Sequence, residues 1–378
     1  MRRAILKWAI LAVAAAAGAL AALASTASAS PTGDYASLDR PGPPLSVPVA
    51  KLRSALACAS GIHGVGRDPI LLVPGTDLTP QTNYSWNYER AFAALNWPYC
   101  AVTLPVDATG DIHIAAEYIV YAIRTMAAES GRQVDILGYS QGGMVPRWAL
   151  RFWPDTRPLT HDLVAIDPSN HGTIDSNLTC QGSCLPADWQ QASTAHFIQA
   201  LNSGAETFGG INYTVIFSRT DEIVVPNYDD TGSSSLHTGT GRIANIAVQQ
   251  ICPNDVSDHL AMGSYDPVAY ALVADALTHP GVADPARIPV SVCAQPFQPG
   301  VDPATFATDY GAFLGQISKA QSGDPTVPAE PALACYVFAA CKLPTVHPRP
   351  PHKRHHKHKH KHHRRPKHHR HPHHRRGS

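Results

Sequence analysis

A strand-like run, Val134 to Leu137, enters Gly138-Tyr139-Ser140-Gln141-Gly142 without a spacer, and a helical pattern from Gly142 to Phe152 leaves it. No other feature constrains the chain as much. A turn this tight between a buried strand and a helix puts Ser140 on a sharp corner, with its hydroxyl clear of the sheet. Glycines at 138 and 142 suit that corner, because a side chain at either place would meet the neighbouring strand or helix. The pentapeptide alone is a weak signal; the strand before it and the helix after it make it strong. The helix that follows also aims free N–H groups at the corner. Ser140 is therefore a candidate nucleophile, and the N–H of Gln141 a candidate donor to a developing oxyanion.

The rest of the body repeats the same alternation. Ile70-Leu71-Leu72-Val73 is an apolar run stopped by Pro74-Gly75, and Tyr99 to Leu104 is a second strand candidate. Ile112 to Ala128 carries Ile119, Ala122, Ile123 and Met126 on a helical period and ends near Gly131. Leu163 to Ile166 and Tyr213 to Phe217 read as strands, and Ser264 to Leu277 as a helix. Strands that are apolar throughout and alternate with helices predict an α/β fold, with a mostly parallel central sheet and helices on both faces.

Both ends differ from this body. Arg2, Arg3 and Lys7, an apolar run from Ala9 to Leu23 and Ala27-Ser28-Ala29 predict a signal peptide over residues 1–29. The less favoured reading is an uncleaved anchor. Residues 30–51 are rich in Pro, Gly and Ser and read as a leader arm before a body over 52–343. From His347 to the end there are 13 His and 12 Lys or Arg and no acid. Setting aside those 12 and the three in the leader leaves 15 Lys and Arg against 29 Asp and Glu, a body near −14. The near-neutral total thus joins an acidic body to a basic tail over 344–378, which repels itself and is expected to be disordered.

Eight cysteines, Cys58, Cys100, Cys180, Cys184, Cys252, Cys293, Cys335 and Cys341, make an even number in a chain expected to be exported. That favours disulfides over metal. Cys180 and Cys184 have the spacing of a zinc half-site, but no second pair lies nearby, so no metal is expected.

A serine hydroxyl needs a base within reach, and the base needs an acid to orient it. For this strand–turn–helix setting the order is serine, carboxylate, histidine. Asp167 and Asp221 each follow a strand beyond Ser140, and spacing favours Asp221 without excluding Asp167. Of the later histidines before the tail, His237 and His279 read as solvated surface. His259, in a loop just before a helix, is the candidate base. Thr76, after the first strand, could add its N–H and hydroxyl to an oxyanion site, although Pro74-Gly75 is also an ordinary turn signal.

Several of these segments occur together elsewhere. Leu71 to Thr76, Tyr139 to Gly143, Trp189-Gln190-Gln191, Thr220 to Val224 and Asp258-His259 resemble, in order and approximate spacing, the Candida antarctica lipase B type of secreted lipase. The resemblance runs from about Cys58 to about Cys341. It implies an α/β-hydrolase fold, with Ser140 as nucleophile, Asp221 rather than Asp167 as acid, His259 as base, and Thr76 and Gln141 as oxyanion donors. It implies Gln191, Ile223 and Val224 as pocket residues and no cofactor. It implies bridges Cys58–Cys100, Cys252–Cys293 and Cys335–Cys341, which leaves Cys180 and Cys184 to each other. The chain departs from the family pattern at Tyr139, at Leu78 and over Asp175 to Pro186, all near the pocket.

The resulting expectation is a secreted, monomeric serine esterase or lipase acting on esters of apolar acyl chains. One alternative is an amidase or peptidase using the same three residues, since a fold does not set the substrate. The other gives the main role to the tail. Its histidines could bind divalent metal, and its fixed charge could hold the protein to polyanions such as cell-wall polymers, acidic polysaccharide or DNA at the cell surface.

Overall fold

The structure, a computed structural model, describes residues 34–59 and 61–343. The chain falls into two units, Met1–Lys342 and Leu343–Ser378, and every strand and helix named below lies in the first. The expected signal peptide and basic tail lie outside the described residues. No helix of the described residues is long and apolar enough to cross a membrane.

Seven strands among the described residues form one sheet: β1 Leu56–Cys58, β2 Ile70–Val73, β3 Tyr99–Val102, β4 Val134–Tyr139, β5 Thr160–Ile166, β6 Asn212–Phe217 and β7 Arg242–Ala247. Their order is β1-β3-β2-β4-β5-β6-β7. β1 runs antiparallel to β3, and every other neighbouring pair is parallel. The helices of the first half are α1 Val49–Ala55, α2 Pro80–Asn83, α3 Tyr88–Ala94, α4 Ile112–Ser130 and α5 Gln141–Phe152. Those of the second are α6 Ile174–Thr179, α7 Pro186–Gln191, α8 His196–Leu201, α9 His259–Met262, α10 Pro267–Thr278 and α11 Phe306–Gly323.

Alternate residues of the central strands serve opposite faces, as a pleated strand requires. Leu71, Val73 and Ile136 pack with Ile119 and Ile123 of α4, Trp148 of α5 and Phe197 of α8. Ile70, Leu72 and Leu137 pack on the other face with Phe92 of α3, Leu272 and Val273 of α10 and Phe313 of α11. Both faces being covered explains why these strands are apolar throughout. The longest helix, α4, has a clear start and stop. The Asp111 side chain accepts from the His113 N–H at 2.9 Å, and Gly131 ends the helix with a φ of 69°.

Two edge strands and one long helix are absent from the sequence reading. β1 is three residues long and only partly buried. It is held to β3 by Cys58–Cys100, which join residues opposite one another in the pairing register. β7 reads Arg-Ile-Ala-Asn-Ile-Ala, and alanine and asparagine carry little strand preference. α11 contains Gly311, Gly315 and Gly323 and buries only Phe313 and Ala320, so its helical signal is faint. The helix expected over Ser264 to Leu277 begins later, at Pro267, where Asp266 caps it. The described part of the leader arm is docked on the body: Arg151 donates to the Ala36 carbonyl at 2.6 Å, and the Trp153 indole to the Pro43 carbonyl at 2.8 Å. Its Pro-rich composition hides Tyr35, Leu38, Leu45 and Val47, which pack against the core. The remaining bridges are Cys180–Cys184, Cys252–Cys293 and Cys335–Cys341, and among the described residues no cysteine is free.

Candidate active site

β4 delivers Ser140 directly to the start of α5, with a φ of 55° and a ψ of −127°. An L-residue holds such a conformation only where its surroundings enforce it. Here Ser140 donates its N–H to the Ile166 carbonyl of β5 at 2.8 Å. A Cβ at Gly138 would overlap the Gly142 carbonyl, and one at Gly142 would overlap the Val73 carbonyl. A Cβ at Gly143 would come within 2.8 Å of the Ala165 side chain. The glycines therefore permit close approach of three backbones, and that approach holds the corner.

His259 opens α9, whose N-cap, Asp258, accepts from the Ala261 N–H at 2.8 Å. The Tyr139 hydroxyl donates to the His259 carbonyl at 3.0 Å, and Glu222 accepts the His259 N–H at 3.1 Å. The imidazole is thus anchored from both neighbouring loops. Its Nδ1 donates to Asp221 at 2.9 Å, and its Nε2 stands 3.1 Å from the Ser140 hydroxyl. The other Asp221 oxygen accepts from the Ile223 and Val224 N–H groups at 2.8 and 2.9 Å. Asp167 lies further away, 4.0 Å from Nδ1. Burial, and then the charge of Asp221, push its carboxyl well above the usual range. Asp221 is thus the carboxylate within hydrogen-bond distance of Nδ1. His237 and His279 are not brought to Ser140: the His237 N–H donates to Glu206, and the ring of His279 pairs with Asp275.

Thr76 and Gln141 meet beside the serine. The Thr76 hydroxyl donates to the Gln141 side-chain oxygen at 3.3 Å and accepts from Gln191 at 3.0 Å. As the first residue of α5, Gln141 has no carbonyl one turn back within the helix to accept its main-chain N–H. Asn83, which sequence reasoning missed, braces this loop. It accepts from the Gly75 N–H at 3.2 Å and donates to the Gly263 carbonyl at 3.1 Å. One buried amide thereby ties the oxyanion-side loop to the end of the helix that begins with the base. Nothing in the sequence near Asn83 marks it, since Gly263, the partner that ties the two segments together, is 180 residues away.

Comparisons with known proteins place the chain in a family. A family model described as lipase (class 2) matches residues 119–253. Lipase B of Pseudozyma antarctica is 31% identical over 220 residues, covering 57% of this chain and 64% of that protein, so the match spans just under two thirds of that relative. The crystal structure of Aspergillus fumigatus lipase B is 32% identical with a TM-score of 0.72, covering 79% of this chain and 74% of that one. The chain belongs to the lipase B family.

In this lipase B family chain a cavity of about 450 Å³ opens beside Ser140 and His259. Gln191, Ile223 and Val224 line it, as do Thr76, Leu78 and Tyr139. Ile317 and Gln321 of α11 line it too, as do Asp77, Asp175 and Asp188. These last five are not legible as site residues in the sequence. α11 has too faint a helical signal, and the aspartates lie on the loop after β2 and on the short helices α6 and α7, whose meeting depends on the whole fold. The loop closed by Cys180–Cys184 forms part of the rim. Cys184 lines the cavity, and its backbone exchanges two hydrogen bonds with Val327, at 3.1 and 2.8 Å.

Proposed function

We propose that this chain hydrolyses carboxylic esters through an acyl-enzyme on Ser140. The observation that carries the reading is the unbroken line from Asp221 through His259 to Ser140, at 2.9 and 3.1 Å. The Ser140 oxygen attacks the ester carbonyl carbon as its proton passes to Nε2 of His259. The carbonyl oxygen, now negative, takes hydrogen bonds from the Gln141 N–H and from Thr76. Each such donor is typically worth ~10²–10³ in rate. The tetrahedral species collapses, the C–O bond to the alcohol breaks, and the alcohol leaves with the Nε2 proton. A water then gives a proton to Nε2 as it attacks the acyl carbon; the second tetrahedral species collapses, the C–O bond to Ser140 breaks, and the serine oxygen takes the Nε2 proton as the acid is released. Asp221 holds the Nδ1–H tautomer throughout and stabilises the imidazolium as it forms.

The composition of the first residues and the four disulfides support export. A serine amidase would use the same residues, and no feature of the cavity favours it. The tail, on its charge alone, is read as a tether to anionic polymers; removing residues 344–378 should lower retention on such polymers and leave turnover of a soluble ester unchanged. The decisive experiment for the main reading is labelling with a fluorophosphonate followed by peptide mapping, with rates on matched p-nitrophenyl esters and anilides. Modification of Ser140 and faster ester cleavage are expected. Labelling elsewhere, or faster anilide cleavage, rejects it.

A further inference from the structure

Six residues close a ring of hydrogen bonds on the oxyanion side of Ser140. The Thr76 hydroxyl donates to the side-chain oxygen of Gln141 at 3.3 Å, and the Gln141 amide nitrogen donates to the Ala108 carbonyl at 3.0 Å. The Asp107 carboxylate, one residue before Ala108, accepts from Nε2 of Gln316 at 2.9 Å. The same Nε2 donates to the carbonyl of Asp77, the residue after Thr76, at 3.1 Å. One glutamine of α11 thus joins the loops that carry or brace both proposed oxyanion donors. We propose that Gln316 is a positioning residue, which fixes the separation of Thr76 and Gln141 on the oxyanion side. This rests on the ester-hydrolase reading and adds a residue to it.

Both loops need to be held. Asp77 has a φ of 69°, and Val106, Asp107 and Ala108 follow one another at 53°, 49° and 63°. Side chains other than glycine rarely occupy this left-handed region, and they stay there only where their surroundings fix them. Some of the fixing is local. Thr109 donates its N–H and its hydroxyl to the Val106 carbonyl at 2.8 and 2.6 Å. Lys319 meets the Asp107 carboxylate at 3.5 Å, and Gln321 donates to the Asp77 carboxylate at 2.7 Å. Each of these contacts steadies one loop. Gln316 touches both, so it alone of these side chains sets the distance between them.

The helix supplies the right place for such a bridge. α11 buries Phe313 and Ala320, and Gln316 lies three residues after the first and four before the second, on the same face. Packing alone would favour an apolar side chain there. A primary amide instead offers two N–H groups, and the Asp77 carbonyl and Asp107 carboxylate take one each. Ile317 and Gln321 line the cavity and Gln316 is outside that lining. A change at 316 should therefore act on the donors and leave substrate contacts in place. A donor misplaced by about 1 Å can cost about 10²-fold in rate.

The test measures kcat and KM on p-nitrophenyl butyrate for the full chain. Gln316→Met, which keeps length and loses both donors, and Gln316→Glu, which keeps shape and sets a carboxylate against Asp107, are each made in the wild-type and Thr76→Val backgrounds. We expect either substitution to lower kcat by about tenfold or more, with KM within about twofold. Removing the Thr76 hydroxyl already opens the ring, so in that background the same substitutions should cost less than about threefold. Near-UV circular dichroism and Tm confirm that the compared proteins are folded, and if one variant does not fold the other decides. A tether with a purely structural role would lower Tm and leave kcat of the folded protein unchanged. A kcat loss below tenfold, a loss carried by KM, or an equal loss in both backgrounds overturns the proposal while the ester reading stands. If the wild type cleaves no ester and Ser140 resists the phosphonate, the ester reading fails and this role falls with it.

Discussion

Two histidine–carboxylate clusters sit at opposite ends of the same three parallel strands. Where β2, β4 and β5 leave the sheet, the chain presents Thr76, Ser140 and Asp167, and His259 and Asp221 join them. Where those strands enter, it presents Asp68, Asp135, His161 and Asp162. The residue types are nearly the same, yet only one end brings an imidazole nitrogen to a serine hydroxyl. At the entering end Nδ1 of His161 has three carboxylates around it, at 3.3, 3.3 and 3.4 Å. The Asp135 carboxylate, reinforced by the charges of Asp162 and Asp68, pushes this imidazole up to about 9. It is an imidazolium at neutral pH, and a base that already holds its proton cannot take another. At the leaving end a single carboxylate, Asp221, lies within hydrogen-bond distance of Nδ1, and burial pushes the carboxyl of the more distant Asp167 well above the usual range. Nε2 stays available to the serine. Catalytic competence here depends on how many charges surround the ring and which nitrogen is left free.

That contrast can be broken most severely at the leaving end. Ser140→Ala or His259→Ala should lower kcat on a p-nitrophenyl ester by about 10⁶-fold, whereas His161→Ala should leave it within about twofold. A comparable loss in the His161 variant would mean that the two ends are coupled. The next effect separates the two carboxylates near His259. Asp221→Asn should cost about 10⁴-fold in kcat by presenting the wrong tautomer, while Asp167→Asn should cost less than about tenfold. Equal losses would show that Asp167 shares the negative charge.

Smaller effects concern stability. Gly142→Ala would drive a methyl into the Val73 carbonyl, and a drop of about 1–3 kcal/mol in unfolding free energy is expected by denaturant titration. The smallest effect belongs to the entering end. His161 has a folded pKa raised to about 9, above its unfolded value near 6.5. Its ion pairs therefore stabilise the fold fully below about pH 6.5, and that contribution is lost as pH rises through about 9. His161→Gln should lower Tm at pH 6 and leave it close to wild type at pH 10. The ring is 40% exposed, so the shift should be modest. A Tm difference that grows with pH would reverse the assignment.

Much of the leaving end is legible in the sequence because its parts are neighbours in the chain. Gly138 to Gly142 carry the corner, the serine and the proposed oxyanion donor Gln141 within five residues, and the apolar runs on either side announce strand and helix locally. The choice of Asp221 over Asp167 is not local. Residue spacing leaves both open, and resemblance to other chains favours Asp221. Asn83 and α11 escape a reading of the sequence because neither leaves a periodic or motif signature.

By itself, then, the order of residues determined the parallel α/β framework and the strained serine corner, since hydrophobic period and glycine placement act over a few positions. Only the tertiary structure decided which carboxylate reaches Nδ1 of His259, and which segments would line the cavity with Asp77, Asp175 and Asp188. Those outcomes depend on burial and on distances between groups 38 to 244 residues apart, and electrostatic energies in a dry interior follow separation in space rather than position along the chain.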